Sequence, residues 1–299
     1  MARVVIVGTI ALDNVTTPFG RMQNILGGSA TFAAYASSFF AKTGIVSIVG
    51  EDFPEEYSKI FTDRGICLNG LVKKGKTFRW HGSYEGDMNE AKTLNTELNS
   101  LLDFNAELPD DYKDAEYVFL GNIDPELQMK VISQMRNPKV IAMDTMNFWI
   151  KNKKDKVIEA IKKANLLLIN DGEARLLFET SNLICAGKKA LELGLKAVII
   201  KKGEHGALLF TKDSHFNAPA YPLENVRDPT GCGDSFGGSL IGYIAKAGKL
   251  NDKVLRKAIV YATSVASHNA EDFSLERLKK ISMKDIKARV KEIKRIRKF

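Results

Sequence analysis

Asp228-Pro229-Thr230-Gly231-Cys232-Gly233-Asp234-Ser235-Phe236 is the stretch on which the reading of this chain turns. Upstream, His215 to Pro222 is β-like. Downstream, Gly237-Gly238-Ser239-Leu240-Ile241-Gly242-Tyr243-Ile244-Ala245 is an apolar run with small residues, as in a buried helix. A Gly-rich turn that opens a helix leaves backbone N–H groups unpaired and aimed at one spot. The helix dipole adds partial positive charge there, so an anion such as a phosphate suits the place. Asp234 falls in the first turn. The dipole stabilises its carboxylate, yet that carboxylate would repel the anion the turn attracts. The conflict makes sense if Asp234 does chemistry next to a phosphate. On spacing alone, a capped helix start with a glycine turn is an equally good reading.

Working outward, the composition is that of an ordinary globular chain: 299 residues, 44% hydrophobic and 27% charged. Met1 to Gly8 holds too short an apolar run for a signal peptide or a membrane span and reads as a first strand, and no other run approaches membrane length. The formal charge of +8 is concentrated at one end. Lys284, Lys287, Arg289, Lys291, Lys294, Arg295, Arg297 and Lys298 crowd the last stretch against only Asp285 and Glu292. The chain carries no nucleic-acid reading motif, and basic charge alone gives weak, salt-sensitive binding. A nucleic-acid-binding protein using this tail is therefore the distant alternative. Cys67, Cys185 and Cys232 fit neither a zinc nor a disulfide framework, which points to a reducing cytoplasm.

The chain then alternates strand and helix. Val4 to Val7, Gly44 to Gly50, Tyr117 to Asn122, Lys139 to Asp144 and Leu166 to Ile169 are apolar runs of buried-strand type. Glu55 to Arg64, Glu126 to Met135 and Lys154 to Ala164 read as helices between them, the pattern of a parallel sheet covered on both faces. In such sheets ligands bind beyond the carboxyl ends of the strands. Asp13, Asn122, Asp124, Asp144, Thr145 and Asn147 fall at such ends. Gly27-Gly28 opens a helix rich in small residues, and the pair lets backbone approach a ligand. Asn170 and Glu173 stand one turn apart at a helix start, a spacing that suits a capping box or an indirect hold on Mg2+. Asn251 to His268 is a helix, and Arg277 to Lys298 is helical with Ile281, Ile286, Val290 and Ile293 as its apolar stripe.

Between 67 and 104 the texture changes. Cys67 to Lys73 and Thr77 to Tyr84 read as a hairpin around Lys73-Lys74-Gly75-Lys76, with one more strand and a loop over Leu94 to Phe104. Gly70 to Thr77 also satisfies the P-loop pattern G-x-x-x-x-G-K-T. That pattern needs a strand before it and a helix after it. The β-like Phe78-Arg79-Trp80-His81-Gly82 follows, so the match is rejected.

The opening stretch resembles the D-T-x-G-A-G-D signature of the ribokinase-like (PfkB) sugar kinase family, with Cys232 in place of the usual Ala. Gly27-Gly28 resembles the family's N-terminal G-G motif, Gly50-Glu51-Asp52-Phe53 its G-x-D-x turn, Asn170 to Glu173 its N-x-x-E motif, and the turn Gly203 to Gly206 its G-x-x-G hairpin beside the nucleotide. Phe32 stands where members often carry Asn, so sugar specificity does not transfer. The resemblance implies an α/β, ribokinase-like fold: a central, mostly parallel sheet flanked by helices on both faces. Residues 1–299 would form one kinase domain with a small β lid, built mainly from about 67–99 with a contribution from about 12–20.

It further implies an ATP-dependent sugar kinase that transfers the γ-phosphoryl group to a hydroxyl, expected to be primary, of a small sugar. A nucleoside kinase of the same family is the alternative. Asp234 would be the base, with Gly231, Cys232 and Gly233 supplying backbone N–H groups. Asp13, Gly27, Gly28 and Asn122 would bind the acceptor. Asn170 and Glu173 would hold Mg2+ through water. Lys201, Gly203, Gly206, Asp228 and Thr230 would line the nucleotide, although solvated charge is the simpler reading of Lys201, Lys202 and His205 taken alone, and the Asn251 to His268 helix could cover the adenine. A monovalent cation is an optional further ligand. The partners are ATP and the small molecule, with no specific nucleic acid, no membrane, and room for a homodimer through the lid. Cys232, at a helix N-terminus, is expected to be a somewhat reactive thiol.

Overall fold

A computed structural model describes residues 2–86, 88–89 and 91–298. Its strands are β1 (Val4–Val7), β2 (Ala11–Thr17), β3 (Gly20–Gly27), β4 (Thr43–Val49), β5 (Cys67–Lys73), β6 (Arg79–Tyr84), β7 (Ala91–Glu97), β8 (Tyr117–Leu120), β9 (Val140–Met143), β10 (Leu166–Asn170), β11 (Ala197–Lys201), β12 (Ala207–Thr211) and β13 (His215–Ala218). They form two sheets. The nine-stranded sheet runs β13-β12-β11-β10-β9-β8-β1-β4-β5 and is parallel from β11 to β5, with β12 and β13 antiparallel at one edge. The four-stranded sheet runs β3-β2-β6-β7, and its central pair, β2 and β6, is parallel.

The continuous apolar runs explain the large sheet. Successive side chains of a strand point to opposite faces, so a run buried on both sides feeds two cores. Ile6, Phe119, Leu168 and Ile199 pack into one, and Val7, Leu120, Ile169 and Ile200 into the other. The first core is roofed by the helices Ser29–Ser38, Cys232–Ala247 and Asp252–Asn269, the second by Pro125–Gln134, Lys154–Ile161, Asp171–Phe178 and Leu183–Leu191. Burying Gly237 and Gly238 lets two helices of the first layer nearly touch: a Cβ on Gly238 would stand 1.9 Å from Ala33 O.

The hairpin expected over 67–84 does not form. β5 pairs in parallel with β4, Ser47 opposite Leu71 and Val49 opposite Lys73, and is the edge strand of the large sheet. The helix Glu55–Asp63 makes β4 to β5 a crossover unit, and the 74–77 turn hands the chain to the other sheet. The small sheet is thus drawn from 11–27, 79–84 and 91–97, not from 67 onward. The crossing is clamped. Asp52 Oδ1 accepts from Thr77 N (2.7 Å) and from Thr77 Oγ1 (2.8 Å), while Gly50 N donates to Thr77 Oγ1 (3.0 Å). Thr77, which completes the P-loop pattern, is a wholly buried structural tie.

β2 and β3 leave the large sheet after β1 and return before the helix Ser29–Ser38. Thr9 and Ser29 close the neck of this excursion: Thr9 N donates to Ser29 Oγ and Ser29 N to Thr9 Oγ1, each at 3.0 Å. The basic C-terminal stretch is two helices, Glu276–Lys280 and Met283–Ile296, separated at Ile281 and Ser282. Ile286, Val290 and Ile293 are buried, and Arg289 is consumed inside the fold by Glu271 (2.5 Å) and the Tyr221 ring (4.3 Å). Among the described residues no helix is long and apolar enough to cross a membrane.

Candidate active site

The helix Cys232–Ala247 starts at Gly231, whose φ of 73° is open to glycine at little cost. A Cβ there would also stand 2.2 Å from the Phe32 ring. This corrects the reading of Phe32: only 1% exposed, it is the floor under the glycine turn, with no face toward a substrate. The turn is braced from three directions. Asp228, 1% exposed, accepts from Thr230 N (2.9 Å) and Ser274 N (3.4 Å). Asn269 Nδ2 donates to Thr230 O (2.8 Å), and the Thr230 hydroxyl donates to Tyr84 OH of the small sheet (3.2 Å). Asp228 and Thr230 are therefore committed to shaping the turn.

Behind the turn stands a group of charges from three strand ends. Lys201 Nζ, at the end of β11, donates to Asp144 Oδ2 beyond β9 at 2.6 Å. A Cβ on Gly233 would stand 3.3 Å from Lys201 Nζ, which sets the ammonium beside the first turn of the helix. Lys201 is thus a largely enclosed ion-pair partner, not a solvated charge. Burial by itself would lower its pKa; Asp144, Glu173 and Asp234 outweigh that and raise it. Asp144 directly follows the apolar strand β9, a signal that marks it as a site residue beyond those assigned from the sequence. Lys202 and His205 stay outside this group, with His205 exposed.

Asn170 and Glu173 form a complete capping box: Glu173 N donates to Asn170 Oδ1 (2.7 Å) and Asn170 N to Glu173 Oε2 (2.8 Å). Glu173 is nevertheless more than a cap. Burial first, and repulsion from Asp144 second, raise its carboxyl against the opposing pull of Lys201. Asp234 keeps some solvent contact at the mouth of the site while protein encloses the rest of it. Burial, then Asp144, push it up to about 7, with Lys201 opposing. Among the described residues no three acidic, His or Cys side chains come within common ligating reach of one metal ion. The oxygen donors of Glu173 and Asn170 fit a hard cation held through its own waters.

Asp13 lies across the turn, 3% exposed. Its carboxylate accepts from the Gly28 backbone and covers Gly27, where a Cβ would stand 1.8 Å from Oδ2. Its Oδ1 is buried without a partner. Burial, then Asp228 and Asp234, raise its pKa well above the usual carboxylate range. Asp13, Gly27, Gly28 and the Gly231–Asp234 turn thus converge. Asn122 does not join them as an open group: its Oδ1 accepts from Trp149 Nε1 (3.0 Å) and its Nδ2 meets Met146 Sδ. Gly203 and Gly206, both with positive φ, bound the turn after β11 that carries Lys201. Cys232 is not the reactive thiol expected. Burial pushes it up to about 12, and its Sγ is in contact with Ala266 O and Asn269.

The pfkB family carbohydrate kinase model matches residues 1–277. The chain belongs to the pfkB family of carbohydrate kinases. It is accordingly a phosphotransferase acting on a hydroxyl group. Among curated pfkB relatives, a cytidine kinase of Thermococcus kodakarensis is 28% identical over 252 residues, covering 81% of this chain and 89% of that protein. Solved structures carry the fold at lower identity. The nucleoside kinase of Methanocaldococcus jannaschii superposes with a TM-score of 0.80 at 20% identity, covering 97% of this chain and 98% of that one. An E. coli protein of ribokinase type, in complex with ATP and Mg2+, also gives 0.80, at 18% identity over 98% of this chain and 100% of that one. The ribokinase-like architecture expected from the sequence is the observed one, and ATP with Mg2+ are ligands found within the pfkB family.

Proposed function

We propose that this pfkB kinase transfers the γ-phosphoryl group of ATP to the primary hydroxyl of a nucleoside. The observation that carries the transfer chemistry is the convergence of Asp234, at the mouth of the glycine turn, with the unpartnered Oδ1 of Asp13. The acceptor class is supported by the cytidine kinase that this chain matches over 89% of that protein's length.

Asp13 Oδ1 and the Gly27-Gly28 backbone take ribose hydroxyls, giving the buried oxygen the donor it lacks. Asp234, near half-ionised around neutrality, accepts the proton of the attacking hydroxyl. Backbone N–H groups of Gly231 and Gly233 face the charge that develops on the transferred group, whereas the Cys232 N–H expected to join them is taken by Pro229 O at 3.1 Å. Lys201, fixed by Asp144, holds a positive charge beside that path. Asn170 and Glu173 are the residues that would hold Mg2+ through water, and the ion, when bound, neutralises phosphate charge. The small sheet covers the acceptor and excludes water.

The test is a panel of cytidine, uridine, adenosine and inosine against ribose, deoxyribose and fructose, each with ATP and Mg2+. Turnover of a nucleoside with a kcat/KM at least tenfold above every sugar is expected. A sugar preferred over all four nucleosides overturns the acceptor class and restores the small-sugar reading.

A further inference from the structure

The inner face of the small sheet carries a wall that none of the roles above uses. In the sheet, Asp13 is flanked by Ile25 of β3 and Trp80 of β6. Two residues on, Val15 stands opposite Gly82. Residues in register, and residues two apart on one strand, share a face. That face is the inner one, because Trp80 and Ile25 pack with Val15, Tyr84, Met88 and Phe273. The unpartnered carboxylate oxygen therefore stands at the edge of an apolar, aromatic surface.

Trp80 is held in one orientation. A Cβ on Gly82 would stand 2.1 Å from its Cη2, so the indole lies flat across a strand position that only glycine leaves free. Its Nε1 donates to Thr93 Oγ1 of β7 at 3.1 Å, which fixes the direction of the ring. One ring face rests on the sheet. The side chain is only half-buried, so the other face is available.

We infer that Trp80 is the base platform of the acceptor site: the nucleobase stacks on the open face of the indole while the ribose is held at Asp13. The inference rests on the nucleoside reading above. A bare sugar carries hydroxyls around its whole rim, and those turned to Ile25, Val15 and Trp80 would lose water without gaining a partner. A nucleoside divides its chemistry as this face does, with hydroxyls at one end and a flat apolar ring at the other. Stacking tolerates different bases, so Trp80 selects nucleosides as a class rather than one base.

Steady-state kinetics with cytidine and inosine as the varied acceptor tests this on three variants. Trp80→Ala is expected to raise the nucleoside KM roughly tenfold to a hundredfold, the worth of a base–aromatic stack. Its kcat stays within about threefold and the KM for ATP is unmoved. Trp80→Phe restores most of the loss. Thr93→Val, an exposed change that only frees the indole N–H, raises the nucleoside KM a few-fold and keeps the chain folded if Trp80→Ala does not. An unchanged nucleoside KM in Trp80→Ala and Thr93→Val, or a fall in kcat with KM held, overturns the platform while leaving the nucleoside reading standing. Absence of nucleoside turnover in the unmodified enzyme overturns both.

Discussion

The chain has two glycine turns that look alike on paper, Gly70 to Thr77 and Asp228 to Asp234, and only one opens onto the site. The first matches a phosphate-loop pattern at every position; the second is an imperfect copy of its own. What separates them is the element that follows. After Gly231 comes a helix of 16 residues, whose first N–H groups find no partner within it. After Thr77 comes β6, whose backbone groups are taken up by β2 and β7. The hydroxyl that would sit on a metal in a true phosphate loop is bound instead to Gly50 N and Asp52. A glycine turn binds an anion through what it leaves unpaired, and a letter pattern does not record that.

The sharpest way to break the comparison is to remove one side chain from each turn. Asp234→Asn should lower kcat by roughly 100- to 10,000-fold, the range for a general base. Lys76→Ala, in the position of a phosphate-loop lysine, should leave kcat within about twofold. A dead Lys76→Ala with an active Asp234→Asn would exchange the roles of the turns. With Asp234 raised to about 7, the unmodified enzyme should gain kcat/KM as pH rises through that value. Stability has the opposite slope. A carboxyl whose folded pKa lies above its unfolded value favours the fold at low pH, and that contribution is lost as pH rises through about 7. Asp234→Asn should therefore melt above the unmodified protein at pH 8, by calorimetry, while being inactive.

The two glycines with nearly equal φ give the next contrast. Gly231→Ala places a Cβ 2.2 Å from Phe32 at φ 73° and should cost about 2–4 kcal/mol, strain and overpacking together, with loss of turnover. Gly75→Ala, at φ 70° with nothing within 4 Å of its Cβ, should cost only about 1 kcal/mol and leave kcat unchanged. Denaturant titration reads both. Between the two falls Thr77→Val, expected to cost about 1–3 kcal/mol for leaving Gly50 N and Asp52 without their hydroxyl partner, with kcat retained.

The large sheet was legible because a strand buried on both faces must be apolar throughout, and Val4–Val7, Tyr117–Leu120 and Leu166–Ile169 are. The small sheet was misdrawn because Cys67–Lys73 and Thr77–Tyr84 are neighbours in sequence, and adjacency suggests a hairpin; nothing local says that β5 finds its partner in β4 across a helix. Asp234 and Glu173 were legible since each stands at a helix start, whereas Asp13, expected at the carboxyl end of a strand, lies inside β2 between Ile25 and Trp80. Lys201 was half-read: its charge was visible, but the partner that draws it inward, Asp144, lies 57 residues away. Phe32 was misjudged because its role depends on Gly231, which the fold alone brings above it. In the sequence Trp80 is one residue of the β-like run 78–82; its place beside Asp13 is a matter of register between strands far apart in the chain.

The Thr9–Ser29 clasp has a bearing on how such a protein can change over time. Without residues 10–28, β1, the helix Ser29–Ser38 and β4 would still make a complete crossover unit, and the two ends of the excursion are already tied at hydrogen-bonding distance. An inserted segment closed at its root imposes little on the scaffold that hosts it. The Asp13 side of the proposed acceptor site can therefore be rewritten, lengthened or exchanged as a cassette, while Trp80 on β6 and the helix start assigned to phosphate are inherited unchanged.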